Sequence, residues 1–351
     1  MTLALDRADA AQAFGGLRGA TDWMLAAQTP DGAIPWFEDG PWDAWNHAEC
    51  VMALAVMGEA EAASRGLEFL ARTQAPDGSW HGEYGNVLPM ADRLTLARTK
   101  APAFKDSNFI AYPAVAVWRQ YRLDGDIRTA RRYWPMVRAA IDFVLTLQHP
   151  EGDISWSAEA HGGSEDDCVL AGAASIYKSL SCAIQLAEAV GEPRPQWCEA
   201  QARLKRAILC RPERFDRKQD RSAFAMDWYY PILCGVMPFA AALARLETRA
   251  HRFIEPGHGC RCVSDQPWAT VAESCELALT AISLGARNRA RTLLEWQMNC
   301  RDEDGVFWMG WQFEEKIVWP AERPTWTQAA AILATDALHR ATPGWDVLVK
   351  G

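Results

Sequence analysis

Gln74-Ala75-Pro76-Asp77-Gly78-Ser79-Trp80 closes an apolar-periodic run with a turn. The same punctuation recurs as Gln28-Thr29-Pro30-Asp31-Gly32 with Trp36, and as Gln148-His149-Pro150-Glu151-Gly152 with Trp156. A looser fourth copy is Gln297, Asp304-Gly305 and Trp308. Pro followed by Asp-Gly or Glu-Gly favours a tight turn, and an indole is large enough to wedge it in place. A turn that recurs after helical runs implies stacked supersecondary units. It sets the architecture and leaves the chemistry open.

Between these turns the apolar period stays near 3.6, and no convincing strand alternation interrupts it. Twelve helices are predicted, near 14–28, 43–57, 61–74, 107–123, 128–148, 168–190, 195–210, 226–236, 238–252, 268–284, 287–299 and 325–340. Their connections alternate. Links such as Gly58-Glu59-Ala60 and Gly191-Glu192-Pro193 are short, whereas those carrying the Gln-Asp-Gly-Trp punctuation are long. Even-numbered helices are rich in small and apolar residues, as in Ala329-Ala330-Ala331-Ile332-Leu333-Ala334, and odd ones carry more Arg and Glu. These patterns predict an all-α chain folded as an (α/α)6 toroid, a single domain over 1–351 with six inner and six outer helices. The long loops then gather at one end, where six inner-helix N-termini favour oxyanions. The loop 81–106 is long enough to be a lid.

The composition limits the function. Net charge is -9 over 351 residues, with acids and bases interspersed, which disfavours nucleic acid. No run of about 18 apolar residues is present, so no integral membrane segment is expected. Met1-Thr2-Leu3-Ala4-Leu5-Asp6-Arg7 lacks the pattern of a secretion signal. Ten cysteines, several within apolar helical patterns, then read as reduced thiols of a cytoplasmic protein. Cys260-Arg261-Cys262 has no paired Cys-His set, so neither a metal nor a cofactor is expected.

Tryptophan is the sharpest chemical signal, with 17 in the chain. Trp36, Trp42, Trp45, Trp80, Trp156, Trp228, Trp268, Trp308, Trp311, Trp319 and Trp326 fall in the long loops or first turns of even helices. Trp80 and Trp156 read mainly as packing wedges. The remainder predict an aromatic cavity suited to sugar faces or to a developing carbocation. About half of the carboxylates in those loops, Asp43 most plainly, read as helix caps. Three groups exceed that role: Trp42 to Glu49, which includes Asp43, Trp45 and His47; Met226 to Pro231, with Asp227, Tyr229 and Tyr230; and Trp311 to Glu322, with Glu314, Glu315 and Trp319. Asn108 and Glu273 sit at two further inner-helix starts. A lone His47 is more often a hydrogen-bonded structural histidine than a catalyst.

Two resemblances follow from particular residues. Arg65-Gly66-Leu67-Glu68-Phe69-Leu70, continued by Gln74, Gly78 and Trp80, resembles the repeat motif of squalene-hopene cyclases. The resemblance implies a structural tie between outer helices and loops, but the Asp-x-Asp-Asp acid of that family is missing. Protein prenyltransferase β-subunits share the ring, and their zinc set has no counterpart in this chain. Glu151-Gly152-Asp153-Ile154-Ser155-Trp156 and Pro324-Thr325-Trp326-Thr327-Gln328-Ala329-Ala330 resemble, more broadly, the third hairpin and the last inner helix of glucoamylase-like six-hairpin glycosidases. That resemblance implies a general acid after Trp156 and a base before the last helix. Ser157 occupies the position of the acid, which directs attention to Glu159 and Glu165.

The leading expectation is a carbohydrate-active enzyme of glycoside-hydrolase type acting on a small molecule or oligosaccharide. Glu159 or Glu165 would be its acid, and Glu314, Glu315 or Glu322 its base. Trp36, Trp42, Trp45, Trp311 and Trp319 would stack on sugars, while Asp43, His47, Glu49, Asn108, Asp227, Tyr229, Tyr230 and Glu273 would bind around them. The alternatives are a terpenoid cyclase or prenyl-transfer enzyme acting on an isoprenoid, and a non-catalytic binder on the same fold.

Overall fold

The structure is a computed structural model and describes residues 11–85, 104–159, 164 and 166–350, with the backbone alone at 159. Its helices alternate between two layers. The outer layer holds α1 (Arg18–Ala27), α3 (Ala60–Thr73), α6 (Ile127–Leu145), α8 (Pro195–Cys210), α10 (Phe239–Phe253) and α12 (Arg287–Gln297). The inner layer holds α2 (Ala44–Val56), α4 (Ser107–Ala111) with α5 (Pro113–Asp124), α7 (Leu170–Val190), α9 (Ala225–Leu233), α11 (Val271–Ser283) and α13 (Thr325–His339). Pro113 divides what the sequence predicts as one helix, because it has no N–H to continue the ladder. Each inner helix packs on the next, α2–α5–α7–α9–α11–α13, and α13 returns to α2, closing the toroid.

Composition decides which layer a helix joins. From Thr327 to Leu338, α13 is buried on every side, and its alanines let neighbours approach closely. By contrast, α10 buries only Ala242, Leu246 and Phe253. An ion pair lies deep in the inner ring. Arg119 of α5 donates to Asp336 of α13, and the two are 2% and 0% exposed. Asp336 also accepts from the Thr342 backbone N–H (2.9 Å) and hydroxyl (2.8 Å).

The repeated turn has a physical basis. Gln28, Gln74 and Gln148 each use the side-chain Nε2 twice. It donates to the carbonyl of the turn glycine, Gly32, Gly78 or Gly152, and to a carbonyl of the next outer helix, Ala62, Met136 or Ala200. The three glycines have φ of +102°, +90° and +102°. A Cβ at any of them would press into a carbonyl of that same next helix, at Arg65, Ala139 or Arg203. The fourth copy departs: Gln297 bonds His258 and Leu293, and Gly305 faces open space. Gly78→Ala therefore adds both a left-handed strain and a backbone clash. It should cost on the order of 2–4 kcal/mol in denaturant titration, whereas Gly305→Ala should cost about 1 kcal/mol.

The long loops contain strands that the sequence pattern did not predict. β1 (Phe104–Asp106) pairs antiparallel with β2 (Ser157–Glu159), with Asp106 opposite Ser157. β3 (Ile254–Glu255), β4 (Gly259–Arg261), β5 (Trp268–Thr270), β6 (Gly310–Gln312) and β7 (Ile317–Val318) form a five-stranded antiparallel sheet. Two or three residues are too few for a period-2 pattern to register. Most of the loop expected to act as a lid, 86–103, lies outside the described residues. No helix among the described residues is long and apolar enough to cross a membrane.

Candidate active site

The first turns of four inner helices meet around a cavity of about 230 Å³. Trp45 enters from α2, Asn108 and Phe109 from α4, Ala171 to Ala173 from α7, and Met226, Asp227 and Tyr230 from α9. Asp106, Trp156, Arg221 and Phe224 complete the lining from the loops. Trp45 lies 5.4 Å from Phe109, 5.8 Å from Tyr112 and 6.2 Å from Tyr230, so aromatic rings from α2, α4 and α9 adjoin one another here. The α7 wall, with Val169 and Ile176, is apolar.

Two carboxyls face this space. Asp106 caps α4: its Oδ1 accepts from Asn108 N–H (2.9 Å) and Phe109 N–H (3.1 Å). Burial nevertheless pushes its pKa up to about 7, helped by the charge of Asp43 and opposed by those two bonds. Asp227 is also raised by burial, against the pull of Arg245 at 3.8 Å. Asp216 stands behind Asp227 and is raised to about 7, first by burial and then by the Asp227 charge. Burial raises both members and the two carboxyls titrate as a pair that shares a proton. Arg245 is itself fixed by donating to the backbone carbonyls of Asp227 (2.8 Å) and Trp228 (2.9 Å).

Tyr230 forms part of the cavity floor and also lines a smaller compartment of about 30 Å³, with Glu49, Tyr112, Lys178 and Glu276. Glu49 accepts from the Tyr112 hydroxyl; burial raises its pKa to about 7. Glu276 accepts from the hydroxyls of Tyr229 and Tyr230, the latter at 2.6 Å, and burial raises it to about 8. Between roughly pH 5 and 8 the folded chain thus keeps a proton on Glu276 that the unfolded chain has released, so stability falls as pH rises through that window. Glu276→Gln preserves the neutral form. It should flatten that slope when urea midpoints are compared at about pH 5 and about pH 9.

Of the residues expected to bind substrate, Trp45, Asn108, Asp227 and Tyr230 line the cavity. Glu49 and Tyr229 lie below it in the acid–tyrosine cluster. Asp43 is 0% exposed and caps α2 through Trp45 N–H and Asn46 N–H (both 2.8 Å); Trp36 donates its indole N–H to the same carboxylate (2.6 Å). Trp42 stacks on Tyr84 at 4.3 Å. His47 is fully buried and does not line the cavity. Its Nδ1 accepts from Ile34 N–H (3.1 Å) and its Nε2 meets Gly66 O (3.0 Å), and burial lowers its pKa to about 4. This neutral ring ties α2 to α3. Glu273 accepts from the Thr270 hydroxyl at the start of α11.

Trp311 and Trp319 belong to the five-stranded sheet and its margin rather than to the cavity lining. Among the expected catalytic residues, Glu314 and Glu315 occupy the exposed turn between β6 and β7, away from the cavity lining. Glu322 is buried in the loop leading into α13. Glu159 ends β2, in the ribbon that terminates at Asp106, and Glu165 is outside the described residues. Trp80 is the expected wedge, 1% exposed, but Trp156 lines the cavity. Asp106 and Asp216 were the residues least visible in sequence. The first resembles any capping acid, and the second is a non-glycine residue at φ +53°, which no pattern announces.

His149, Asp153 and Cys168 bring potential metal ligands within 4.8 Å of one another. Arg214 already grips Asp153 through two bonds (3.0 and 2.8 Å), and the Cys168 thiol donates to it (3.1 Å). Burial pushes that thiol well above its usual range. The carboxylate is neutralised by the guanidinium, and a cation would be a second positive charge there.

No protein-family model matches the chain. Over 318 residues it is 45% identical to the MMP endo-(1,4)-3-O-methyl-alpha-D-mannosidase of Mycolicibacterium hassiacum, a match that covers 91% of this chain and 84% of that protein. A glycosidase solved in complex with glucose superposes with a TM-score of 0.70 at 12% identity, over 95% of this chain and 98% of that one. The GH63 mannosylglycerate hydrolase from Thermus thermophilus, also in complex with glucose, gives 0.67 at 12% over 91% and 99%. A D-mannose isomerase gives 0.67 at 10% over 93% and 97%. At these identities the structural likeness establishes the fold, and a fold shared by hydrolases and an isomerase does not choose the reaction.

Proposed function

Because the chain belongs to the glycosidase family of the Mycolicibacterium hassiacum endo-mannosidase, we propose that it hydrolyses internal α-linked bonds in a mannose oligosaccharide bearing O-methyl groups. The observation that carries the chemistry is the presence of both Asp106 and Asp227 in the lining of one aromatic cavity. Asp106, raised to about 7, keeps its proton up to neutral solution and serves as general acid to the departing glycosidic oxygen. Asp227, 3.8 Å from Arg245 and sharing a proton with Asp216, supplies the second carboxyl. It acts on water or on the anomeric carbon. A carboxyl separation of about 6.5–9.5 Å gives inversion and about 5 Å gives retention, so proton NMR of the first-formed anomer reports which applies. Trp45 and Tyr230 offer faces to the sugar ring, and Ile154, Val169, Ile176 and Met226 supply the apolar surface that a methyl ether prefers over water.

A second assignment retains Glu159 as acid and Glu322 as base. It is favoured by the burial of Glu322 beside the last inner helix and by the pairing of β2 with the strand that ends at Asp106. The cyclase and prenyl-transfer readings draw no support from these relatives. A cytoplasmic setting fits ten free cysteines, among them the buried Cys50, Cys168, Cys182, Cys234, Cys260, Cys275 and Cys300. The decisive assay incubates the protein with α-(1→4)-linked 3-O-methylmannose oligosaccharides and with unmethylated analogues. Mid-chain cleavage products with preference for the methylated series are expected; intact substrate in both series would overturn the proposal.

A further inference from the structure

The cavity is smaller than the roughly 300–1,000 Å³ that accommodates a drug-sized ligand. An enzyme that cuts inside a chain must hold saccharide units on both sides of the cut, so most of such a substrate has to lie outside the cavity. The five-stranded sheet is joined directly to the rim. Ala225 N–H donates to Cys262 O (2.9 Å), Ser264 N–H donates to Ala223 O (2.8 Å), and Phe224 bridges Val263. The turn between β4 and β5 is thereby sewn to the segment that presents Arg221, Phe224 and Met226 to the cavity.

Register sorts the side chains of the sheet. Trp268 lies opposite Gln312, and Gln312 opposite Ile317, so these three share one face across β5, β6 and β7. Ala269, Trp311 and Val318 share the other face, where Ala269 is 2% exposed and Trp311 packs against the core. On the first face Trp319, 38% exposed, meets Trp268 edge to face at 4.7 Å, beside Ile317 at 48% exposed. Gly310 is hemmed in by β5: a Cβ there would meet both the Ala269 carbonyl oxygen and the Trp268 Nε1 at 2.5 Å. The first face therefore carries two indoles, an aliphatic side chain and an amide in one row, on a sheet tied to the rim at Phe224, itself 38% exposed. Trp319 and Ile317 are the exposed part of this row and Trp268 and Gln312 lie half-buried beside them; exposed apolar side chains grouped in this way on a folded protein mark a binding surface.

We infer that the row Trp268–Gln312–Ile317, with Trp319, is a distal subsite that holds the part of the oligosaccharide lying outside the cavity. Indoles stack on the apolar faces of sugar rings, while the Gln312 amide, whose Oε1 accepts from Glu315 N–H (2.6 Å), has its Nε2 to donate to hydroxyls. The inference rests on the endo-hydrolase reading above. Its test compares kcat/KM on a short and a long oligosaccharide of the same methylated series, for the wild type, Trp319→Ala and Trp268→Ala, with thermal melting to verify folding. The long-to-short ratio is expected to fall about tenfold in Trp319→Ala, carried mainly by KM, with a similar fall in Trp268→Ala. A ratio unchanged from wild type in a folded Trp319→Ala overturns the subsite alone. A wild type that cleaves neither length overturns the hydrolase reading and the subsite with it.

Discussion

Asp106→Asn and Asp227→Asn should each lower kcat by about 10²–10⁴-fold, the usual contribution of a positioned acid or base. Loss of folding does not account for the first of these effects. An amide oxygen at position 106 can still accept from the N–H groups of Asn108 and Phe109 and keep α4 capped. What the amide cannot do is donate an acidic proton. The pH profile separates the two roles. In the wild type, activity should decline above about pH 7 as Asp106 releases its proton, since the group works in its protonated form. In Asp106→Asn that alkaline limb should disappear along with most of the rate. Wild-type turnover in both aspartate variants, together with large losses in Glu159→Gln and Glu322→Gln, would transfer the roles to the second assignment.

Asp336→Ala should destabilise the fold by about 3–5 kcal/mol, because it leaves the Arg119 guanidinium charged and unpaired inside the ring. The Thr342 N–H and hydroxyl lose their acceptor at the same time. The effect is read as a lower urea midpoint at unchanged slope. The double variant Arg119→Met/Asp336→Leu should recover much of the loss, since replacing a buried pair by apolar groups of similar volume is often close to neutral. Equal destabilisation in the single and double variants would show that Thr342, rather than the ion pair, carries the effect.

The toroid was legible because its determinants are local and repeated. Gln28, Gln74 and Gln148 precede glycines that need a left-handed backbone, and the alternation of Ala-rich with Arg- and Glu-bearing helices marks the two layers. The same alternation points inner-helix starts at one mouth, and Trp45, Asn108, Asp227 and Tyr230 line the cavity there. Individual roles were less legible. Asp43 and Asp106 carry the same signature of an acid at a helix start, yet Asp43 is sealed by Trp36 while Asp106 opens onto the cavity. The side chains of Trp36 and Asn46, which close over the Asp43 carboxylate, are what distinguish them. Glu314 and Glu315 drew attention as acids in a Trp-bearing loop, because the hairpin that turns them outward is built from strands too short to leave a pattern. His47 illustrates the reverse, a residue near many aromatics whose two nitrogens are spent on backbone groups.

The glutamine ties have a bearing on how such a scaffold is altered. In the first two rim connections the entry is clamped by Gln28 or Gln74 to the adjacent hairpin, and the exit is clamped by Asp43 or Asp106 at the next inner helix. In the first of them Ile34 to Trp36 pack into the barrel, so it is the exposed tip at Glu38 and Asp39 that can be lengthened or exchanged without asking the barrel to repack. Grafts that respect both anchors should change which glycans are accepted while leaving the melting behaviour close to the parent, and grafts that remove the leading glutamine should sacrifice both.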